Sequence, residues 1–100
     1  MNNDLFFMER AYEQALLGFK KEEIPVGAVV VYDNEIISEA HNESIFKTDP
    51  TSHAEIVAIR KAALKIGNYR LTNAKMFVTL EPCLMCCGAL IHSRFYTVIF

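Results

Sequence analysis

The chain has 100 residues, enough for one domain, and a hydrophobic fraction of 52% excludes a disordered polymer. Its formal net charge of −2 excludes a domain that holds nucleic acid mainly by bulk positive charge. No apolar run is long enough to span a bilayer, and Met1-Asn2-Asn3-Asp4 lacks the basic start of a signal peptide, so the expected location is cytoplasmic with no membrane partner.

In chain order, Asp4 is a good N-cap for a first helix reaching about Lys21, and Leu5, Met8, Tyr12, Ala15 and Phe19 follow at helical spacing as its apolar face. Pro25 marks the entry to a new element. Val26 to Tyr32 is β-branched and nearly all apolar, which predicts a strand buried on both faces. Asp33-Asn34-Glu35 reads as a turn and Ile36 to Ala40 as a second strand, antiparallel to the first. Asn42 to Pro50 is polar and irregular, a loop. Thr51 or Ser52 can cap a second helix, with Glu55 in capping-box relation to Ser52. Ile56, Val57, Ile59, Ala63 and Ile66 supply that helix's apolar face, and Gly67-Asn68 stops it. Met76 to Leu80 is a third strand. Cys83 to about Ser93 is a third helix with Pro82 at its mouth, and Tyr96 to Phe100 begins a fourth strand. The order αββαβαβ contains no repeat or linker. Strands separated by helices predict an α/β fold, with right-handed parallel crossovers and helices packed on a sheet.

The three cysteines all fall between positions 83 and 87, a clustering that suits metal binding rather than a disulfide framework. His53, Cys83 and Cys86 are the ligand types of a zinc site with an open fourth position, where a water can be activated. Both segments fall at predicted helix starts. Free N–H groups and the positive dipole end favour anionic ligands there and lower a cysteine pKa, so Cys83 and Cys86 can bind as thiolates. Residues three apart share a helix face, so both sulfurs can point one way. One zinc per chain is expected. Glu55, two residues after His53, is left as a carboxylate free to shuttle protons; its plain alternative is a helix cap. Cys87 reads as a small buried apolar residue rather than a ligand. His41 and His92 fall outside the pattern and read as structural or exposed. Lys20, Lys21, Lys47, Arg60, Lys61, Lys65 and Arg70 read as solvated helix faces, with room for a local RNA patch.

The pattern His53-Ala54-Glu55 followed by Pro82-Cys83-Leu84-Met85-Cys86 is the known signature of the zinc nucleobase deaminases. Three runs resemble the tRNA-specific adenosine deaminases (the TadA family). They are Asp49-Pro50-Thr51-Ser52-His53-Ala54-Glu55-Ile56, the run from Thr79 to Arg94 that contains Leu80-Glu81-Pro82-Cys83-Leu84-Met85-Cys86-Cys87, and Ile24-Pro25-Val26-Gly27-Ala28-Val29-Val30-Val31. The resemblance extends from about Leu5 to the end of the chain. It implies the three-layer α/β/α sandwich with a mixed central sheet of the cytidine deaminase-like proteins. It further implies hydrolytic deamination of adenosine to inosine at the tRNA anticodon wobble position, and a homodimer whose sites draw on both subunits. Asn42 matches the family's asparagine that contacts the target base; the alternative is an ordinary turn asparagine. Val26 and Ala28 match a pocket-lining strand, and Glu81 and Pro82 shape the mouth of the third helix. The family continues with a further strand and C-terminal helices, so residues 1–100 are expected to be a single zinc-dependent deaminase domain lacking those elements.

Free guanine, cytosine or cytidine deaminases use the same zinc site and remain alternatives to the tRNA enzyme. A thiol–disulfide oxidoreductase would also place Cys-x-x-Cys between a strand and a helix, but it leaves His53 and Glu55 without a role. A zinc-binding domain without catalysis is the third alternative.

Overall fold

The computed structural model describes residues 3–100. Met1 and Asn2, half of the stretch read above for a signal peptide, lie outside the described residues. The elements are α1 (Asp4–Lys20), β1 (Gly27–Tyr32), β2 (Glu35–His41), α2 (Ala54–Ile66), β3 (Lys75–Val78), α3 (Leu84–His92) and β4 (Thr97–Ile99).

β1 and β2 form a hairpin in which Tyr32 faces Glu35 across a two-residue turn. Asp33 and Asn34 both take positive φ there (54° and 64°), which Asp and Asn tolerate better than other non-glycine residues. Glu35, expected in the turn, therefore belongs to the strand. The sheet order is β2-β1-β3-β4. β1 is antiparallel to both β2 and β3, and β3 is parallel to β4. Both helical connections thus join parallel strands, as expected, and β1 lies between the first such pair.

Helices cover both faces of this mixed sheet. On one face, Phe7 and Ala11 of α1 pack on Val29, Val31 and Phe77. On the other, Ala54, Val57, Ala58 and Ala62 of α2, with Leu90 of α3, pack on Ala28, Val30, Met76 and Val78. The result is a three-layer α/β/α sandwich. Val26 to Val31 are buried throughout because successive residues of β1 serve the two layers in turn.

The buried faces of α1 and α2 differ from those expected. α1 buries Phe7, Ala11, Ala15 and Gly18, whereas Leu5, Tyr12 and Phe19 are exposed. The cause is close approach: a Cβ on Gly27 would run into the Ala11 carbonyl oxygen, so the helix backbone rests almost on β1. Contact at that range admits small side chains and expels large ones. α2 likewise centres its buried face on Ala54, Glu55, Val57, Ala58 and Ala62; of the expected residues Val57 is buried, Ile56, Ile59 and Ala63 are partly buried at its edge, and Ile66 is exposed. Its alanine stripe shares one buried cluster with Ala28 and Ala40 of the sheet.

The caps also differ. Asn3, not Asp4, occupies the N-cap of α1, and it makes no side-chain cap bond. There is no capping box on α2: Ser52 Oγ donates to Asp49 Oδ2 at 2.8 Å, and His53 is the N-cap residue. The predicted stop holds. Gly67 is left-handed (φ 77°), and the amides of Gly67 and Asn68 both donate to the Ala63 carbonyl. Among the described residues, no helix is long and apolar enough to cross a membrane.

Candidate metal centre and active site

The N-termini of α2 and α3 hold the ligand set. His53 is the N-cap residue of α2 and Cys83 that of α3, both with extended backbone, and neither spends its side chain on a cap bond. Cys86 stands three residues after Cys83, on the inner face of α3, and is fully buried. His53 Nδ1 lies 3.6 Å from Cys83 Sγ and 3.7 Å from Cys86 Sγ, and the three ligand atoms fall within 4.8 Å of one another. Tetrahedral zinc with ordinary Zn–S and Zn–N lengths requires an N···S edge of about 3.5 Å. The donor set therefore fits zinc in both chemistry and spacing. It uses Nδ1 of the histidine, so Nε2 carries the proton of the neutral ring.

Glu55 follows in the first turn of α2 and is 4% exposed. It lines a cavity of about 150 Å³ together with His53, Cys83, Asn42, Val26, Ile24, Leu80 and Glu81. Ala28 does not line this cavity: it is fully buried in the core, opposite Ala40 and Val78 in the sheet. The strand's contribution to the cavity is thus its entry, Ile24 and Val26.

The cysteine expectations require two corrections. Burial pushes the Cys86 thiol well above its ordinary value, and the neighbouring Glu55 carboxylate and Cys83 add to the rise. Desolvation outweighs the helix N-terminus here, so proton loss from Cys86 needs a cation in the site; a coordinated thiol is deprotonated outright. Cys87 is exposed rather than buried, its Sγ directed at the Pro82 carbonyl oxygen at 3.7 Å. One residue past Cys86 turns the side chain about 100° round the helix, onto its solvent-exposed side.

Asn42 is buried and has a structural role that was not expected of it. Its Oδ1 accepts the Ala54 amide proton at 2.7 Å, capping α2 from the end of β2. Its backbone N–H donates to the Val26 carbonyl. Because Oδ1 is the acceptor, the Nδ2 group is fixed as a donor. His41, also buried, donates from Nδ1 to the Asn42 carbonyl at 2.8 Å. Asp49 completes the brace, accepting from the Thr51 amide and hydroxyl and from the Ser52 hydroxyl. These bonds hold its carboxyl well below the usual range, at about 2. Sequence reasoning missed this brace and the buried Glu23, whose carboxylate accepts the amides of Ile45 and Phe46. Its partners lie 22 and 23 residues away, and no local pattern marks them.

Of the basic residues read as solvated faces, Lys47 pairs with Glu43 at 2.8 Å, Arg60 approaches Asp49 at 3.8 Å, and Lys61 donates to the Glu39 carbonyl.

The comparisons with known proteins agree with this geometry. The family model of the cytidine and deoxycytidylate deaminase zinc-binding region matches residues 1–100. A protein named tRNA-specific adenosine deaminase from Buchnera aphidicola subsp. Schizaphis graminum is 43% identical over 99 residues, covering 99% of this chain and 66% of that protein. One of the same name from Haemophilus influenzae is 57% identical over 79 residues, covering 78% of this chain and 46% of that protein. The chain therefore spans two-thirds or less of the length of these relatives. Among solved structures, guanine deaminase from Bacillus subtilis superposes with a TM-score of 0.93 at 40% identity, covering 99% of this chain and 63% of that one. A structure from a study of A-to-I editing by tRNA:A34 deaminases at the wobble position of transfer RNA gives 0.91 at 37% identity, covering 99% and 79%. With its ligand atoms gathered at the spacing that zinc requires and its whole length matched, the chain belongs to the cytidine and deoxycytidylate deaminase zinc-binding family.

Proposed function

We propose that residues 1–100 form a zinc-dependent nucleobase deaminase domain that converts adenosine to inosine in tRNA, at the anticodon wobble position. The observation that carries this reading is the convergence of His53, Cys83 and Cys86, at a cavity that His53 and Cys83 line together with the buried Glu55 and with Asn42. The names of the relatives support a tRNA adenosine as substrate.

His53, Cys83 and Cys86 would hold one zinc ion. When bound, the metal supplies Lewis acidity that makes a water nucleophilic near neutral pH. Glu55 would accept one proton of the attacking water at its carboxylate and pass it to the ring nitrogen beside the carbon under attack, then carry that oxygen's remaining proton to the amino group, which leaves as ammonia while the carbon–oxygen double bond forms. Burial and the short tether to His53 keep the carboxylate at the reacting edge of the base. Asn42 presents its Nδ2 donor to an acceptor on the base while its Oδ1 stays on Ala54. Val26 and Ile24 form an apolar wall that excludes water from the ring. Pairing into a homodimer follows from the resemblance and is tested by sedimentation of the zinc-loaded chain.

A second reading, deamination of free guanine, is favoured by the likeness to the Bacillus subtilis guanine deaminase. Ammonia release from the zinc-loaded chain decides between the two, on an anticodon stem-loop, free guanine and cytidine in parallel. Turnover of the stem-loop adenosine is expected; turnover of guanine alone would transfer the assignment to the free base.

A further inference from the structure

His41 takes no part in the mechanism above, yet it is buried and both of its ring nitrogens are engaged. It is the last residue of β2, where strand alternation sends successive side chains to opposite layers. Asn42 therefore lines the metal cavity, while the His41 ring lies under α1. The last turn of that helix closes on it: a Cβ on Gly18 would stand 3.2 Å from the His41 Cβ. Nδ1 lies 2.8 Å from the Asn42 carbonyl oxygen, which can only accept, so the proton is on Nδ1. Nε2 faces the ammonium of Lys21, which can only donate, at 3.4 Å. The two partners select the same tautomer of the neutral ring.

The bond to the Asn42 carbonyl matters because of what else holds that residue. The Asn42 N–H donates to the Val26 carbonyl at 3.2 Å, one step past the Gly27–His41 pair of the sheet. The Glu43 N–H, which shares a peptide plane with the Asn42 carbonyl, donates to the Ser52 carbonyl at 2.9 Å. Both peptide planes that meet at the Asn42 Cα are thus bonded, and two fixed planes fix the direction of the Cα–Cβ bond. Oδ1 is taken by the Ala54 amide. All of these partners are backbone groups except the His41 ring. Among the described residues Nδ2 has no partner, so it is the one group of Asn42 left for a ligand.

We propose that His41 is a positioning residue for deamination. With its proton held on Nδ1, it fixes the peptide between Asn42 and Glu43 and so aims the Asn42 Nδ2 donor at the base, without touching the substrate. The proposal rests on the reading above, in which Asn42 meets the base. A contact made equally in the ground and transition states moves KM and leaves kcat alone, so loss of aim shows in KM.

The test replaces the ring by amides that reproduce one nitrogen at a time. In His41→Asn the side-chain NH2 can stand where Nδ1 stands; in His41→Gln it stands nearer the place of Nε2. With the zinc-loaded chain on an anticodon stem-loop, His41→Gln is expected to raise KM roughly 2- to 10-fold, as the loss of one hydrogen bond gives, with kcat unchanged. His41→Asn should restore most of the parent's KM. Two readouts do not depend on turnover. Nitrogen NMR of the ring should show a protonated Nδ1 and a bare Nε2. The side-chain amide of Asn42 should give narrow signals in the parent and in His41→Asn, and broadened ones in His41→Gln. A ring without a proton on Nδ1 overturns the proposal, as does a His41→Gln chain that keeps the parent's KM and narrow Asn42 signals. An equal rise in KM for both variants, with the Asn42 signals unchanged, means that the ring only fills space and also overturns it. A parent chain that deaminates no stem-loop overturns the reading of the substrate instead, and the tautomer and the Asn42 signals still decide whether His41 holds Asn42.

Discussion

The two helices that bring the ligands together begin in different ways. The start of α2 is braced from several directions: Asn42 caps Ala54, Asp49 gathers Thr51 and Ser52, and the Glu43 amide donates to the Ser52 carbonyl. Ser52 and Ala54 are fully buried as a result. The start of α3 has little of this. Cys83, Leu84, Met85 and Cys87 are all exposed, and Cys86 alone of the first turn is buried. The half of the site that carries His53 and Glu55 is therefore set by the protein itself. The half that carries the sulfurs is completed by whatever the sulfurs bind. Proton chemistry needs a carboxylate aimed in advance, whereas metal capture tolerates a hinged partner.

The largest test of this contrast removes the metal. Cys83→Ser and Cys86→Ser are each expected to abolish stoichiometric zinc and to lower the thermal midpoint, whereas Cys87→Ser keeps the metal. Structural zinc sites in small peptides bind with roughly 10–16 kcal/mol, an upper guide here. Elemental analysis with thermal denaturation checks the set, and full zinc in Cys83→Ser would overturn the ligand assignment. Chelation should raise amide exchange at the start of α3 more than at the start of α2.

Next in size is Glu55→Gln, which keeps both helix starts and the metal but removes the proton carrier. Deamination is expected to fall by about 10²- to 10⁴-fold. Turnover within tenfold of the parent would mean that another group carries the protons.

Asn42→Ala tests the brace. It removes the side-chain cap on the first amide of α2, and loss of such a cap costs roughly 1 kcal/mol, within a range of about 0.5–2. Urea denaturation reads the stability, and His53 presented less firmly should also weaken zinc affinity.

The smallest effect is that of Asp49. Its folded carboxyl titrates at about 2 rather than at the ordinary 3.8. A depressed carboxyl contributes stability that is fully present above the ordinary value and is lost as pH falls toward the folded one. Asp49→Asn should therefore be less stable than the parent near neutrality, and the gap should close as the pH is lowered from about 4 to about 2. A gap that is independent of pH would mean that Asp49 acts through its shape and not its charge.

What could be read from the sequence divides along the range of the interactions involved. The ligand set was legible because His53 to Glu55 and Cys83 to Cys86 are local spacings on helix starts. The order of elements was legible from periodicity and from stops such as Gly67. The buried stripe of α1 was not, because Gly27 decides it from another element by letting the Ala11 carbonyl approach. The capping role of Asn42 was hidden for the same reason: its partner Ala54 lies 12 residues away. The exposure of Cys87 depends on what covers the outer side of α3, which spacing along one helix does not encode.

The hairpin of β1 and β2 has a further consequence, for the order in which the chain folds. Its two-residue turn makes it the cheapest sheet contact to form, since almost no loop must close. β3 can join only beside β1, after the whole of α2 has been made, and α3 follows β3. His53 and Cys83 are 30 residues apart and meet across that last docking. The ion site therefore ties together two helix starts that only long-range packing brings side by side, and a metal bound there would hold that distant contact closed.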